Sequence, residues 1–347
     1  MLAENTGVPP KKSTFKKWLP WLNLLLALVL IGLGLWYLAQ KIELREIGEA
    51  LAFADPVYIA LGVLISVVTI GVKAWRWQYL LYKPGATPDF MASFWATSLG
   101  QYVNYIVPFF RLGEVARIYA LNQQTNIKMS RSLGTLIVEK TLDLIFFGLT
   151  IALVLPFVIL PKYLDNSGIF IGMTAFAFLI ILYLMAYQTE RLSIILGHLK
   201  AKAPLNILRR FIQIAITGLG GLSSLRSRRL TLIIVGQTIL IAVLSVLLPY
   251  VLFPAFGLQL GIEEATLIHI VASIAVVPPS TPGKIGVLNG AVVFTLYSLD
   301  VNADAAIIGY AIIFHLVVVL PQIVLGIIAA WRTNWRLEKT TAIQQNQ

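Results

Sequence analysis

Apolar residues in this chain gather into runs of roughly 17 to 27, the length that carries an α-helix across a ~30 Å hydrocarbon core at about 1.5 Å per residue. On that pattern six full crossings are predicted, at about 20–39, 56–79, 134–160, 168–187, 230–253 and 305–331. Two further apolar stretches behave differently. Residues 91–121 are interrupted by Asn104, Pro108, Arg111, Gly113, Glu114 and Arg117, and residues 265–299 by Pro278, Pro279, Pro282, Gly283, Lys284 and Gly286. Each reads as a pair of half-helices, because proline and glycine break the hydrogen-bond ladder that a continuous helix satisfies internally. The predicted fold class is all-α: a polytopic helical membrane protein with about six full spans and two opposed re-entrant or broken hairpins.

Composition agrees. A chain of 347 residues with 58% hydrophobic and 12% charged positions is too apolar for a water-soluble fold. The absence of cysteine removes disulfides, thiolate metal sites and a cysteine nucleophile, and three histidines are too sparse for a zinc cluster, so no metal and no cofactor is expected. The net charge of +11 invites a nucleic-acid reading, but the basic residues flank apolar spans, where anionic lipid headgroups meet them. The expected partner is membrane phospholipid, not nucleic acid, with a homo-oligomer or a partner lipid-synthesis protein left open. The predicted division is a basic cytoplasmic tail at 1–17, a transmembrane domain at 18–335 and a cytoplasmic tail at 336–347. The first apolar run lacks a small-residue cleavage site and is read as a retained helix.

Lysine and arginine counts orient the chain, since cytoplasmic loops retain them. With both termini inside and each broken region returning to its own side, the inside collects 22 basic residues and the outside three, Lys41, Arg45 and Lys162, together with nine of the sixteen acids. Within this arrangement Leu205, Leu208, Ile212, Ala215, Ile216 and Leu219 recur at helical spacing in the cytoplasmic stretch 190–229. That stretch is either an inner-leaflet segment or a connector obeying the orientation rule. Lys73, Trp75, Arg76 and Trp77 read as an aromatic and basic interfacial belt, and the GxxxG spacings at Gly168–Gly172 and Gly286–Gly290 as weak packing signals.

Ionised groups inside a span cost roughly 2.5 to 3.5 kcal/mol each and call for partners, water or a ligand. Glu139 and Asp143 stand four apart on one helix face with Lys140 beside them, and Arg111, Glu114 and Arg117 follow at intervals of three, stacked along one side of a short helix. These six groups sum to zero charge. Two readings stay open: a neutral network that fixes packing, or a network in which Arg111 receives an anionic headgroup. In 277–290, VPPSTPGKIGVLNG, a second half-helix beginning near Gly283 would bring backbone amides, a helix dipole and Lys284 together, with Ser280 and Thr281 adjacent, a setting suited to phosphate. The alternative is a structural kink with Lys284 snorkelling outward. His315 is either a helix-to-helix hydrogen bonder or a titrating member of the site.

Four segments in order, VKAWRWQYLL at 72–81, GQYVNYIVPFFRLGEVARIYAL at 100–121, SLGTLIVEKTLDLIFF at 132–147 and VPPSTPGKIGVLNGAV at 277–292, resemble the lysylphosphatidylglycerol synthase membrane region, or flippase-like domain family. The resemblance runs from about 18 to 335. It implies a flippase-like helical fold and movement of anionic or modified lipids between leaflets of a prokaryotic plasma membrane. The positions it implicates are Asn104, Pro108, Arg111, Gly113, Glu114, Arg117, Glu139, Lys140, Asp143, Pro282, Gly283 and Gly286. Lys140 stands where the family commonly has Arg, Asn289 where Glu is frequent and His315 where Arg is frequent; the paired loss of an acid and a base implies that 289 and 315 interact. Full-length synthases of this resemblance add a large soluble aminoacyl-transferase domain, whereas here about sixteen residues follow the last span.

The expectation is a non-enzymatic lipid-binding transporter. Arg111 and Lys284 would bind phosphate, and Glu114, Glu139 and Asp143 would orient the cations or receive a headgroup amine. No P-loop is present, so transport would be passive, gradient-coupled or partner-driven. The competing readings are a membrane-embedded enzyme or accessory subunit of lipid or cell-envelope synthesis, with Glu139 and Asp143 as acid and base or as a divalent-metal pair, and a non-transporting scaffold.

Overall fold

The computed structural model describes residues 44–82, 87–107, 112–125, 127, 129–154, 189–202, 209, 212, 227–278, 281–301 and 303–333. The expected spans at 20–39 and 168–187, most of the segment 203–226, the Gly168–Gly172 pair, and Pro108, Arg111, Pro279 and Ser280 lie outside the described residues. Among the described residues the regular structure is entirely helical.

The helices are α1 Leu44–Ala52, α2 Pro56–Leu80, α3 Phe90–Ile106, α4 Leu112–Gln124, α5 Met129–Val154, α6 Thr189–Lys202, α7 Arg228–Leu252, α8 Ile262–Ala275, α9 Val287–Ser298 and α10 Asp304–Arg332. Three of them, α2, α7 with the turn Pro254–Phe256 that follows it, and α10, are long and apolar enough to cross a membrane. They coincide with three of the six predicted crossings. α5 covers most of a fourth, although its charged face sets it apart. Helix starts are specified locally: Asp55 accepts from Val57 N–H (2.9 Å) with Pro56 in the first turn, and Asp89 accepts from Met91 N–H (3.1 Å). Large apolar side chains on α2 (Leu61, Leu64, Val68) and α10 (Leu316, Leu320, Val324, Ile327) face outward at helical spacing. A chain that buries apolar area against water would not leave such stripes bare; one solvated by lipid does.

α2 and α10 run in the same sense, each from its N-terminal aspartate, between two chemically distinct ends. At one end Gln78 Nε2 donates to Pro88 O (3.0 Å), Arg131 donates to Tyr82 O (2.8 Å) and the Arg332 guanidinium lies 4.7 Å over the Trp95 ring. At the other Asp55 N–H donates to Ala255 O (3.1 Å) and the Tyr297 hydroxyl donates to Asp304 (3.0 Å). Arg131, Arg228, Arg229 and Arg332 therefore mark the first end, and Glu49, Asp55, Glu263, Glu264, Asp300 and Asp304 the second, with Arg45 and Asp89 as exceptions.

Two helical hairpins fill the space between. α3 and α4, 17 and 13 residues long, enter from the basic end; α8 and α9, 14 and 12 residues long, enter from the acidic end. At about 1.5 Å per residue, each of these four is shorter than a ~30 Å hydrocarbon core. The hairpin tips meet beside the middle of α10, where Gln322 Nε2 lies 3.4 Å from the Tyr105 hydroxyl and Asn289 Nδ2 donates to Ala311 O (3.1 Å).

Close backbone approach makes the first hairpin possible. A Cβ on Gly113 would collide with Gly100 O and the Asn104 side chain, and one on Gly100 with Gly113 O and Arg117. Gly326 on α10 likewise leaves room for the Tyr102 ring. Neither pair was legible as a GxxxG motif. Gly290, which was, has open space where its Cβ would be, and Gly286 serves as the N-cap of α9 at φ 81°. Two large apolar cores result, one around Trp77, Leu99, Leu121 and Ile234, the other around Leu252, Phe253, Ile268, Leu296 and Tyr310, with a small third cluster of Val72, Ile241 and Leu244.

Candidate functional site

A cavity of about 340 Å³ lies where the hairpins meet α2, α5, α7 and α10. Of the sequence-predicted site residues, Asn104, Glu114, Arg117, Glu139, Lys140, Asp143 and Lys284 are on its wall. So are Thr97, Gln101, Tyr105, His269 and Gln322, which carried no role in the sequence, and Lys73, which was expected in an interfacial belt.

Glu139 is the centre. It is 3% exposed, and its Oε1 is shared by two guanidiniums, Arg117 Nη1 at 2.9 Å and Arg76 Nη2 at 3.7 Å. Arg76 is held further by Asp143 (2.7 Å) and by Thr238 on α7, whose hydroxyl accepts from Nη1 at 3.2 Å. It thereby ties α2, α5 and α7 together. Arg117 stacks 3.9 Å from the Trp77 ring, and Trp77 Nε1–H donates to Thr135 (3.1 Å). Glu114 and Lys140, both partly exposed, pair at 3.0 Å.

The belt reading of Lys73, Arg76 and Trp77 is corrected. Arg76 and Trp77 are fully buried and Lys73 opens onto the cavity; only Trp75, 41% exposed, matches it. α2 continues to Leu80, so these residues sit inside the helix, and Glu139 and Asp143 of α5 neutralise the arginine there. The signal available in the sequence was the spacing of Lys73 and Arg76, three apart on one face.

Around the second break, Gly283 (φ 67°), Lys284 (φ 57°) and Gly286 (φ 81°) adopt left-handed backbone within four residues, and the Thr281 hydroxyl closes the loop on Ile285 O at 2.6 Å. The half-helix starts at Val287, not near Gly283, so Lys284 precedes it instead of occupying its first turn. The Gly286 N–H faces Asn289 Oδ1 at 3.4 Å, so an internal acceptor stands where a phosphate was expected. The Lys284 ammonium instead lies 4.7 Å over the Tyr105 ring, joining the two hairpin tips. Pro278 and Pro282 are exposed on either side of the loop.

Two predicted positions are placed off the wall. Asn289 caps α9 and grips α10 at Ala311, while His315 is buried in α10 with its Nδ1 lacking a hydrogen-bond partner among the described residues. The expected 289–315 contact is thus replaced by one to the carbonyl a turn earlier. Asn104 has a structural role beside its place on the wall: its Oδ1 accepts from Gly113 N–H at 2.9 Å, stapling α3 to α4. Several polar atoms of the wall carry no hydrogen bond among the described residues: Arg117 Nε and Nη2, Glu139 Oε2 and Thr97 Oγ1. Among the described residues no three His, Cys, Asp or Glu side chains group as metal ligands would.

Residues 24–326 match the family described as the lysylphosphatidylglycerol synthase TM region. A UPF0104 membrane protein of Methanothermobacter thermautotrophicus is 25% identical over 311 residues, covering 83% of this chain and 91% of its own. Another from the same organism is 22% identical over 271 residues, 75% and 77% of the two chains. A UPF0104 membrane protein of Methanocaldococcus jannaschii is 30% identical over 152 residues, 42% and 44% of the two. No solved structure matches the chain. With a match across most of its length, and with apolar helices of spanning length folded around an ionised interior, this chain is an integral membrane protein belonging to the lysylphosphatidylglycerol synthase TM region family.

Proposed function

We propose that the protein binds a lipid with an anionic phosphate headgroup in the central cavity and assists its movement between leaflets, as a transporter and not an enzyme. The observation that carries this is Arg117: a guanidinium 4% exposed, on the wall of a cavity, with Nε and Nη2 unpartnered among the described residues. Buried cations of this kind mark ligand or ion pathways in membrane proteins, and a guanidinium fork matches two phosphate oxygens. The acyl chains remain in the apolar surroundings while the headgroup enters the polar interior. The two hairpins act as re-entrant elements, entered from opposite leaflets, which gives a headgroup a polar station midway. The basic end faces the cytoplasm, with both termini inside, in the plasma membrane of a prokaryote.

The test is leaflet-resolved movement of labelled phosphatidylglycerol and phosphatidic acid in proteoliposomes, with wild type beside Arg117→Gln and Lys284→Gly. Wild type should accelerate movement of an anionic lipid over protein-free vesicles, and each variant should lose about tenfold of that gain, the equivalent of one charge-assisted contact. Equal rates in folded wild type and both variants would leave the protein a scaffold. A product formed from the lipid, dependent on Glu139 and Asp143, would favour the enzyme.

A further inference from the structure

Two ion pairs bridge α4 and α5, and they differ in exposure. Arg117–Glu139 is buried, whereas the side chains of Glu114 and Lys140, paired at 3.0 Å, are 28% and 51% exposed. All four residues are on the cavity wall, so the seam between the first hairpin and α5 carries that wall from a buried face to an exposed one. Lys140 follows Leu133 and Ile137 and precedes Leu144 at intervals of three and four, and Leu133 and Leu144 are exposed apolar side chains. The lysine therefore shares the face that α5 turns to lipid. It is the twelfth of the 26 residues of α5, which at about 1.5 Å per residue puts it more than about 15 Å from either end. A lysine near a helix end snorkels to water; this one, at mid-helix, reaches Glu114 and the cavity instead.

We propose that a membrane lipid enters the cavity sideways through the α4–α5 seam, and that Lys140 exchanges the Glu114 carboxylate for the headgroup phosphate as it does so. This rests on the lipid-binding reading of the same cavity and fixes the source of its ligand as the bilayer, not a water-soluble anion. A lipid whose headgroup moves to mid-membrane keeps its acyl chains in hydrocarbon only if the polar path is open along one side. An apolar wall would force the phosphate through hydrocarbon unpartnered, whereas a seam edged by an ammonium offers a charge-assisted contact at that depth. The pair is also built for exchange. A partly exposed ion pair opens at less cost than a buried one, so Glu114 and Lys140 can part while Arg117–Glu139 and Arg76–Asp143 hold α5 in place. The acyl chains then lie along Leu133, Ile137 and Leu144.

The full chain is reconstituted in phosphatidylcholine vesicles containing a phosphatidylglycerol with a photoactivatable diazirine beside its acyl carbonyl, and the labelled residues are read by mass spectrometry. In a plain bilayer that group sits at interface level, so label at mid-helix reports a headgroup drawn toward the midplane. Ile137 and Leu144 are expected to be labelled severalfold more than Val68 of α2 and Leu316 of α10, which face outward near the middle of their own helices. Lys140→Gln should lower that labelling severalfold and Glu114→Gln should keep or raise it, because the first removes the cation that receives the phosphate and the second frees it. A pair that only fixes packing gives the same change in both variants, and that result overturns the inference. Ile137 and Leu144 labelled no more than Val68 and Leu316, with mid-depth label elsewhere on the cavity wall, overturns the route while leaving lipid binding intact. No mid-depth label anywhere removes the lipid-binding reading as well. Should either variant fail to fold, the wild-type pattern still decides.

Discussion

Glu139 accepts two arginines on one oxygen, from helices that are distant in sequence, and a carboxylate so placed is worth most when removed. Glu139→Gln leaves Arg76 and Arg117 buried against a neutral amide, and the expected loss is about 3 to 5 kcal/mol of stability. It should appear as a large drop in melting temperature in detergent. Glu114→Gln breaks a pair whose lysine is 51% exposed, and should cost under about 1 kcal/mol. Comparable losses for the two would show that Glu139 is not the keystone. Lys284 presents the opposite case, a lysine held at φ 57° where glycine is at ease. Lys284→Gly should keep or raise the melting temperature while lowering lipid movement, which separates a ligand role from a packing role. At this scale Glu139, Asp143 and Arg117 stood out in the sequence because isolated charges in apolar runs are expensive. Lys73 and Arg76 did not, because the same residues near a helix end next to tryptophans describe an interface equally well.

The long apolar helices were legible from the length of their apolar runs and the breaks from proline and glycine, but the way short helices pack was not. The α3–α4 hairpin depends on two glycines whose backbones nearly touch, Gly100 and Gly113, thirteen residues apart with no motif linking them. Gly113→Ala must push α4 away from Gly100 O and Asn104, and is expected to cost about 1 to 3 kcal/mol. Gly290→Ala, in open space within α9, should be neutral or gain up to about 1 kcal/mol from helix propensity. Thermal unfolding of the two variants checks this; equal tolerance would mean that the hairpin is looser than its geometry. The start of α9 was misplaced by about one turn, since glycines at 283 and 286 both permit a break, and Asn289 as an internal cap decides between them.

The whole molecule has a basic end and an acidic end, and a polar cavity between two apolar cores. The absence of cysteine makes orientation directly testable. Phe53 and Trp331, 86% and 81% exposed, stand at opposite ends. In sealed vesicles or cells, Phe53→Cys should react with an impermeant maleimide from outside and Trp331→Cys only from the cytoplasmic side; the reverse pattern would invert the assigned topology. The sequence by itself determined that the chain lies in lipid and where three of its long apolar helices fall, because transfer free energies add up locally along the chain. Tertiary structure decided which charges meet. Arg76 and Thr238 are 162 positions apart, and whether a lysine is an anchor, a strut or a ligand depends on the helix that faces it.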